Sequence, residues 1–197
     1  MYRRAEGSQD PRTIRSRKLL QDALLAILRT APDEPVTVAQ LTEHAGVNRS
    51  TFYQHYRDVD ALLADALDSR ALAAGADVTS IPPEALAGDE PPATLVAYFE
   101  HIAENHEVYR LSLGEKGSPA TLVRLRNRIA ELMAEGLQRH STPEASSAPP
   151  PVVAAAMAGS LLGVMTCWVE RMPEVPAHDA ATWAWQALLA TPNAYRA

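Results

Sequence analysis

The sequence predicts an all-α protein with a small three-helix N-terminal head and a larger C-terminal helical domain. Three observations carry this. Apolar residues recur at helical spacing along most of the chain, and no stretch alternates with β-branched residues as a strand does. Two segments, 75–92 and STPEASSAPPP at 141–151, have the Gly, Pro and Ser content of linkers. Near the N-terminus, two short apolar-periodic segments flank a single glycine, Gly46.

Taken in order, the first helix runs from about Arg12 to Arg29. Ile14, Leu20, Ala23, Leu24, Ile27 and Leu28 form its apolar stripe, and TAPDEPV ends it. Thr37 is a good N-cap for a short second helix with Val38 and Leu41 on one face. That helix ends at Ala45, where Gly46 can take the left-handed cap conformation. Asn48 opens a third helix to Tyr56, and Asp58 caps a fourth carrying Val59, Leu62, Leu63, Ala66 and Leu67. After the first linker, one helix follows Pro92, a natural first-turn residue, and continues to about Arg110. LGEKG breaks the chain. Ser118 and Pro119 then open a helix to about Arg139, and further helices cover Val152 to Arg171 and Asp179 to Leu189.

The bulk numbers narrow the function. The chain has 197 residues and a net charge of −6, which opposes a uniformly basic nucleic-acid binder. The charge is uneven, however. Residues 1–58 hold nine Lys/Arg against seven Asp/Glu, and residues 59–197 hold nine against seventeen, so the excess of positive charge lies in the first third. A single cysteine, Cys167, excludes an intrachain disulfide and suits a reducing compartment. The first residues lack the apolar core of a signal peptide, so the expected location is the cytoplasm.

Two short helices joined by a glycine turn, after a longer helix, suggest a helix-turn-helix. Ala39 is small where the pair would cross, and Val47 and Phe52 can face the small core. Arg49, Ser50, Thr51, Tyr53, Gln54 and His55 are left for the outer face. Their chemistry suits a duplex. Arg49 can donate two bonds to guanine, and Gln54 can pair with adenine. Thr37, Thr51, Tyr53 and His55 can hold phosphates.

The stretch VTVAQLTEHAGVNRSTFYQHYRDVDALL resembles the signature of the TetR/AcrR transcriptional regulators. Thr37, Leu41, Ala45-Gly46-Val47, Thr51, Phe52-Tyr53, His55-Tyr56 and Leu62-Leu63 carry the similarity, which covers residues 12 to 70. The residues from His106 onward, HEVYRLSLGEKGSPATLVRLRNRIAE, are similar to a C-terminal domain of some of these regulators. The resemblance implies a homodimer on a near-palindromic operator of double-stranded DNA, usually as a repressor that a small-molecule effector releases. It implies phosphate contacts from Thr37, Tyr53 and His55, with Arg49, Ser50, Thr51 and Gln54 along the major groove. Tyr56 stands where the pattern usually has a core Phe. Val59 departs from the pattern, which usually has Lys there. That phosphate anchor is therefore missing, or replaced by Arg57 or by the arm residues Arg12, Arg15 and Arg17. The implied division is an arm over 1–11, a DNA-binding head over 12–57, and an effector-binding and dimerisation domain over 58–197.

Val152 to Val169 holds no charge and is barely long enough for a membrane span. A helix buried all round in the protein core explains it better, and no membrane is expected as a partner. Its small residues Ala156, Ser160, Gly163 and Cys167 let another helix approach. With Trp183 and Leu188 they are the expected dimer interface. The effector pocket is expected between the helices of residues 58–171, from Tyr98, His101, Ile102, Tyr109, Leu132, Met133, Met165 and Trp168, each of which also suits plain core packing. His101, Glu104 and His106 are poorly spaced for a metal, so no metal or cofactor is expected. There is no Gly-rich phosphate loop or GxSxG, and Cys167 lies in an apolar run, so the protein is not read as an enzyme. The alternatives are a co-regulator of the same fold that binds a protein partner, and a small-molecule-binding protein or enzyme using only the C-terminal cavity.

Overall fold

The computed structural model describes residues 10–31, 34–75, 77, 88–115, 117–140 and 148–193, and among them there are nine helices and no strand. The chain forms two compact units, Met1–Ala66 and Leu67–Ala197. The expected boundary between 57 and 58 lies one helix start earlier. The difference arises because the first turns of the fourth helix carry Leu62 into the core of the first unit. Of the expected arm, residues 1–9 lie outside the described residues.

The first unit is built on a succession of helix caps. α1 (Pro11–Thr30) begins with Pro11 in its first turn, and the Asp10 carboxylate accepts the Arg12 amide at 3.0 Å. α2 (Val38–Ala45) opens with a capping box. The Gln40 amide donates to Thr37 Oγ1 at 3.3 Å, and the Thr37 amide donates to Gln40 Oε1 at 2.9 Å. It ends at Gly46, whose φ of 64° is left-handed, and the Val47 amide then reaches back to the Thr42 carbonyl at 3.0 Å. α3 (Arg49–His55) follows Asn48, which is extended but makes no side-chain cap bond. At the start of α4 (Val59–Ala73), Asp58 Oδ1 accepts the Ala61 amide at 2.8 Å, as expected of a cap. The caps turn the chain three times in a short length. This lets Leu20, Ala23 and Leu24 of α1 meet Leu41 and Ala45 of α2, with Phe52, Tyr56 and Leu62, in one core.

In the second unit, α8 (Pro150–Arg171) packs along both α7 (Pro119–His140) and α9 (Ala177–Asn193). α5 (Ala93–Glu104) lies against α9, and α6 (His106–Leu113) lies against α7 and α8. The single helix expected from Pro92 to Arg110 is therefore two, and Pro92 serves as its N-cap rather than as a first-turn residue. Asn105 makes the break. Its side-chain amide donates to the His101 carbonyl at 2.9 Å, an alternative to the helical ladder that short polar side chains offer the backbone. At LGEKG the turn is close enough to require glycine. A Cβ on Gly114 would sit 2.4 Å from the Arg110 carbonyl oxygen, and one on Gly117 2.3 Å from that of Ser112. Glu170 of α8 accepts the Glu115 amide at 2.5 Å and closes the turn.

α8 is not buried all round as expected. Val153, Ala154, Met157, Ala158, Leu161, Met165, Trp168 and Val169 are buried, while Ala155, Gly159 and Gly163 are exposed. It is long and apolar enough to cross a membrane. Its buried stripe is that of a helix with one face in a protein core. Leu188, expected at a dimer interface, is 3% exposed and belongs to the chain's own core, so it leaves that set.

Gly46→Ala tests the turn. An alanine at this left-handed φ should cost the head about 1–2 kcal/mol, read as a lower urea midpoint. An unchanged midpoint would show that the turn does not need glycine.

Candidate nucleic-acid interface

α3 presents two faces because its seven residues span only two turns. Phe52 is fully buried and meets the ring of Tyr53 edge-on at 5.3 Å. Tyr56, the C-cap, is 6% exposed, with its ring in the core where the family pattern has Phe. Arg49, Ser50, Tyr53 and Gln54 are exposed, and Thr51 is half-buried. Tyr53 is 60% exposed, unusual for a ring held against a core residue and suited to an external contact. Thr37 and Arg57 are exposed as well, and Arg15 is exposed on α1. Beside α3, the turn residues Gly46 to Asn48 and the first turns of α1 enclose an open recess of about 590 Å³, lined also by Thr51, Gln54 and His55.

His55 is held differently from the other outer residues. Its Nε2 lies 2.8 Å from Ser16 Oγ. The Ser16 hydroxyl has the carbonyls of Arg12 and Thr13 within 2.9 and 3.1 Å to receive its proton, so we assign the bond as His55 Nε2–H donating to Ser16. Burial, and then the charge of Arg17, lower the His55 pKa against an opposing pull from Asp65. The ring is thus neutral at pH 7 and its ring N–H is committed to α1. A phosphate contact from this residue would need Nδ1 to gain a proton.

Sequence reasoning missed the network that holds α3 in place. Asp65 of α4 accepts from Tyr56 Oη at 2.5 Å, from Gln21 Nε2 at 2.7 Å, and from Arg17 in a two-pronged ion pair. Burial alone would raise the Asp65 pKa. The bonds from Arg17, Tyr56 and Gln21 outweigh it and hold the carboxyl below the usual range. Tyr56 is raised by burial first and by its bond to Asp65 second, so it stays a donor. Arg17 and Gln21 lie one helical turn apart, a signal of a shared face, but nothing in the spacing of Asp65 points to α1. Arg17 is thereby removed from the candidates for a phosphate anchor. Val59, where the resemblance leads one to expect Lys, packs against the head core. Among the described residues, Arg57 pairs with the partly exposed carboxylate of Asp58 at 3.3 Å, a contact that holds it weakly.

In the second unit the expected pocket residues Tyr98, His101, Ile102, Tyr109, Met133, Met165 and Trp168 are buried, and Leu132 is half-buried. The Trp168 indole donates to the Val175 carbonyl at 3.0 Å, so its polar edge is used. His106 Nε2 is 2.9 Å from the Val169 carbonyl oxygen, to which it donates, tying α6 to α8. No group of three potential metal ligands occurs among the described residues.

A capped helix-turn-helix head followed in the chain by a unit of longer helices recurs in solved transcriptional regulators. Residues 89–182 match a TetR-type family model described as a transcriptional regulator C-terminal region. Over 62 residues, 31% of this chain, the sequence is 36% identical to an uncharacterized HTH-type transcriptional regulator, YxbF, of Bacillus subtilis. That match spans 16% of the relative's length. Among solved structures, the chain is similar to FadR of Thermus thermophilus, a TetR-family repressor crystallised with lauroyl-CoA, with 20% identity, TM-score 0.57, and coverage of 88% of this chain and 93% of the other. SmeT, the repressor of a Stenotrophomonas maltophilia multidrug efflux pump, is similar at 21% identity and TM-score 0.54, over 91% and 89% of the two chains. The C-terminal region is thus similar to that of TetR-type transcriptional regulators, and the fold as a whole is shared with solved members of that family.

Asp65→Asn tests the network. Because the folded pKa of Asp65 lies below the unfolded value of about 3.9, its bonds stabilise the head fully above that pH and are lost as pH falls through the folded value. The variant should lose about 2 kcal/mol at pH 7 and a smaller further amount on acidification than the wild type. Hydrogen exchange of the α1 and α3 amides across pH reads both.

Proposed function

We propose that the protein is a dimeric, ligand-responsive repressor that binds a near-palindromic operator and is released when a small molecule occupies its C-terminal unit. The observation that carries DNA binding is the two-faced α3, anchored by Phe52 and Tyr56 and exposing Arg49, Ser50, Tyr53 and Gln54. In this reading Arg49, Ser50, Thr51 and Gln54 lie along the major groove. Thr37, Tyr53, Arg15 and Arg57 meet phosphates, Arg57 taking the part of the absent Lys. His55 acts chiefly by fixing α3 on α1. The core position of Val59 accounts for that residue by packing, so it gives no support to the reading as a co-regulator without DNA.

Dimerisation is supported by Gly159 and Gly163. Both are exposed, and a Cβ built on either meets nothing within 4 Å. Glycine in a helix interior costs about 1 kcal/mol relative to alanine, and nothing among the described residues requires it here. A second copy seated on this face would require it, with Ala156, Ser160, Cys167 and Trp183 around the contact. Gly159 and Gly163 border a groove of about 620 Å³ that Val123 and Leu162 also line. The two heads would then stand roughly 34–36 Å apart, or a multiple of that. Release by a small molecule is supported by the likeness to a repressor solved with lauroyl-CoA.

A mobility shift on the DNA flanking the protein's own gene tests the reading. Salt-sensitive, sequence-selective binding is the expected result, and its absence would sink the proposal. Arg49→Ala should cost about 1–3 kcal/mol and relax sequence preference; uniform weakening across sequences would reassign Arg49 to a phosphate. Gly163→Leu should leave the fold intact, because the side chain has room, while sedimentation shows monomers. A dimer that survives would refute this interface.

A further inference from the structure

Two polar side-chain atoms in the C-terminal unit are sealed from solvent and, among the described residues, have no hydrogen-bond partner: His101 Nε2 on α5 and the Tyr109 hydroxyl on α6. Tyr109 is fully buried and His101 is 7% exposed. Their rings lie edge to face with centroids 5.8 Å apart. An unmet buried donor or acceptor typically costs about 1–3 kcal/mol, so two of them side by side on adjoining helices call for a reason.

Asn105 decides what the pair can bind. Its side-chain nitrogen donates to the His101 carbonyl at 2.9 Å, which sets the orientation of the amide, and lies 3.3 Å from His101 Nδ1. An amide nitrogen cannot accept, so Nδ1 offers a lone pair and the neutral ring carries its proton on Nε2. Burial keeps the ring neutral, with Glu104 opposing and Arg70 assisting. Burial also keeps Tyr109 protonated, helped by Tyr98 and by the negative charge of Asp68. Both orphan atoms are therefore donors, and what they lack is an acceptor. The field of Asp68, which also raises Tyr98, disfavours an anion in the same place. Along the two helices the neighbours Phe99, Ile102 and Val108 are buried and apolar.

We propose that His101 Nε2–H and Tyr109 O–H form the polar end of the effector site, and that the effector is a neutral, mainly apolar molecule presenting a carbonyl oxygen. The regulatory sense of this site rests on the repressor reading above; the binding does not. Both atoms are closed off, so a ligand reaches them only by displacing the packing around the α5–α6 break. A ligand that favours the displaced arrangement shifts the population toward it, which is what an effector must do.

The test uses the full chain. Straight-chain methyl ketones from octanone to tetradecanone, the alkanes of equal length and the matching fatty carboxylates are compared by thermal shift and calorimetry. A ketone should raise Tm and bind more tightly than its alkane and its carboxylate. Tyr109→Phe and His101→Phe should each weaken ketone binding roughly five- to tenfold, the loss of one hydrogen bond. Without ligand, Tyr109→Phe should be at least as stable as wild type, because it removes an unpaired hydroxyl. The proposal is overturned if no ketone binds, if carboxylates bind best, if Tyr109→Phe binds ketone unchanged, or if that variant alone is less stable. Ketone binding without release of a bound DNA fragment would leave the site standing and refute the repressor reading instead.

Discussion

A single carboxylate organises the head. Asp65 gathers Arg17 and Gln21 from α1, the phenol of Tyr56 from the end of α3, and its own helix α4 into one polar cluster. The apolar core beneath it is small. Leu41, Phe52 and Leu62 exclude water, but they set no direction, because apolar contact is non-directional. The charge-assisted bonds to Asp65 do set direction, and they tie the end of α3 to α1 and α4. His55 adds a second tether to α1 through Ser16. The outer face of α3 is therefore pinned at its C-terminal end from two sides, which leaves Arg49, Ser50 and Gln54 projecting from a rigid base.

The C-terminal unit rests on a different constraint, the two-sidedness of α8. One face supplies Met157, Leu161, Met165 and Trp168 to the chain's own core. The other exposes glycine, although glycine is unfavourable there and nothing nearby needs the space. The glycines at 114 and 117 are a contrast. There the backbone itself closes in, and any side chain would collide with a carbonyl. The same residue type is thus required by the chain's own backbone at one place and by nothing described around it at another, and only the surroundings of each Cβ tell the two apart.

Much of the fold could be read from local chemistry. Thr37, Gly46 and Asp58 signal their caps through side-chain oxygen or backbone freedom, and all three act as expected. The resemblance led one to expect a TetR-type head and a regulator's C-terminal domain; a family model of a transcriptional regulator C-terminal region matches residues 89–182, and the fold is that of solved TetR-family structures. What escaped the sequence depended on distance. Asn105 looks like an ordinary helical residue until its amide is seen to turn onto the His101 carbonyl. Asp65 looks like one more solvated acid on α4. Val59 looks like a lost anchor, and in the fold it is a packed side chain. Leu188 has the composition of an interface residue and the burial of a core residue.

The sequence by itself determined the class of the protein, all helical with a capped reading head, because caps, turns and apolar periods act between residues a few positions apart. It also determined which side chains of the HAGVNRSTFYQHY stretch have the chemistry to meet a duplex. Only the tertiary structure decided that His55 is tethered to Ser16 and Arg17 to Asp65, since these partners lie 39 and 48 residues apart. It likewise left Tyr109 and His101 with donors that nothing described in the chain satisfies. Hydrogen bonds are strict about distance and angle. A pattern of residue types carries neither, so the residues that are committed and the residues left open to a partner separate only once the helices are packed.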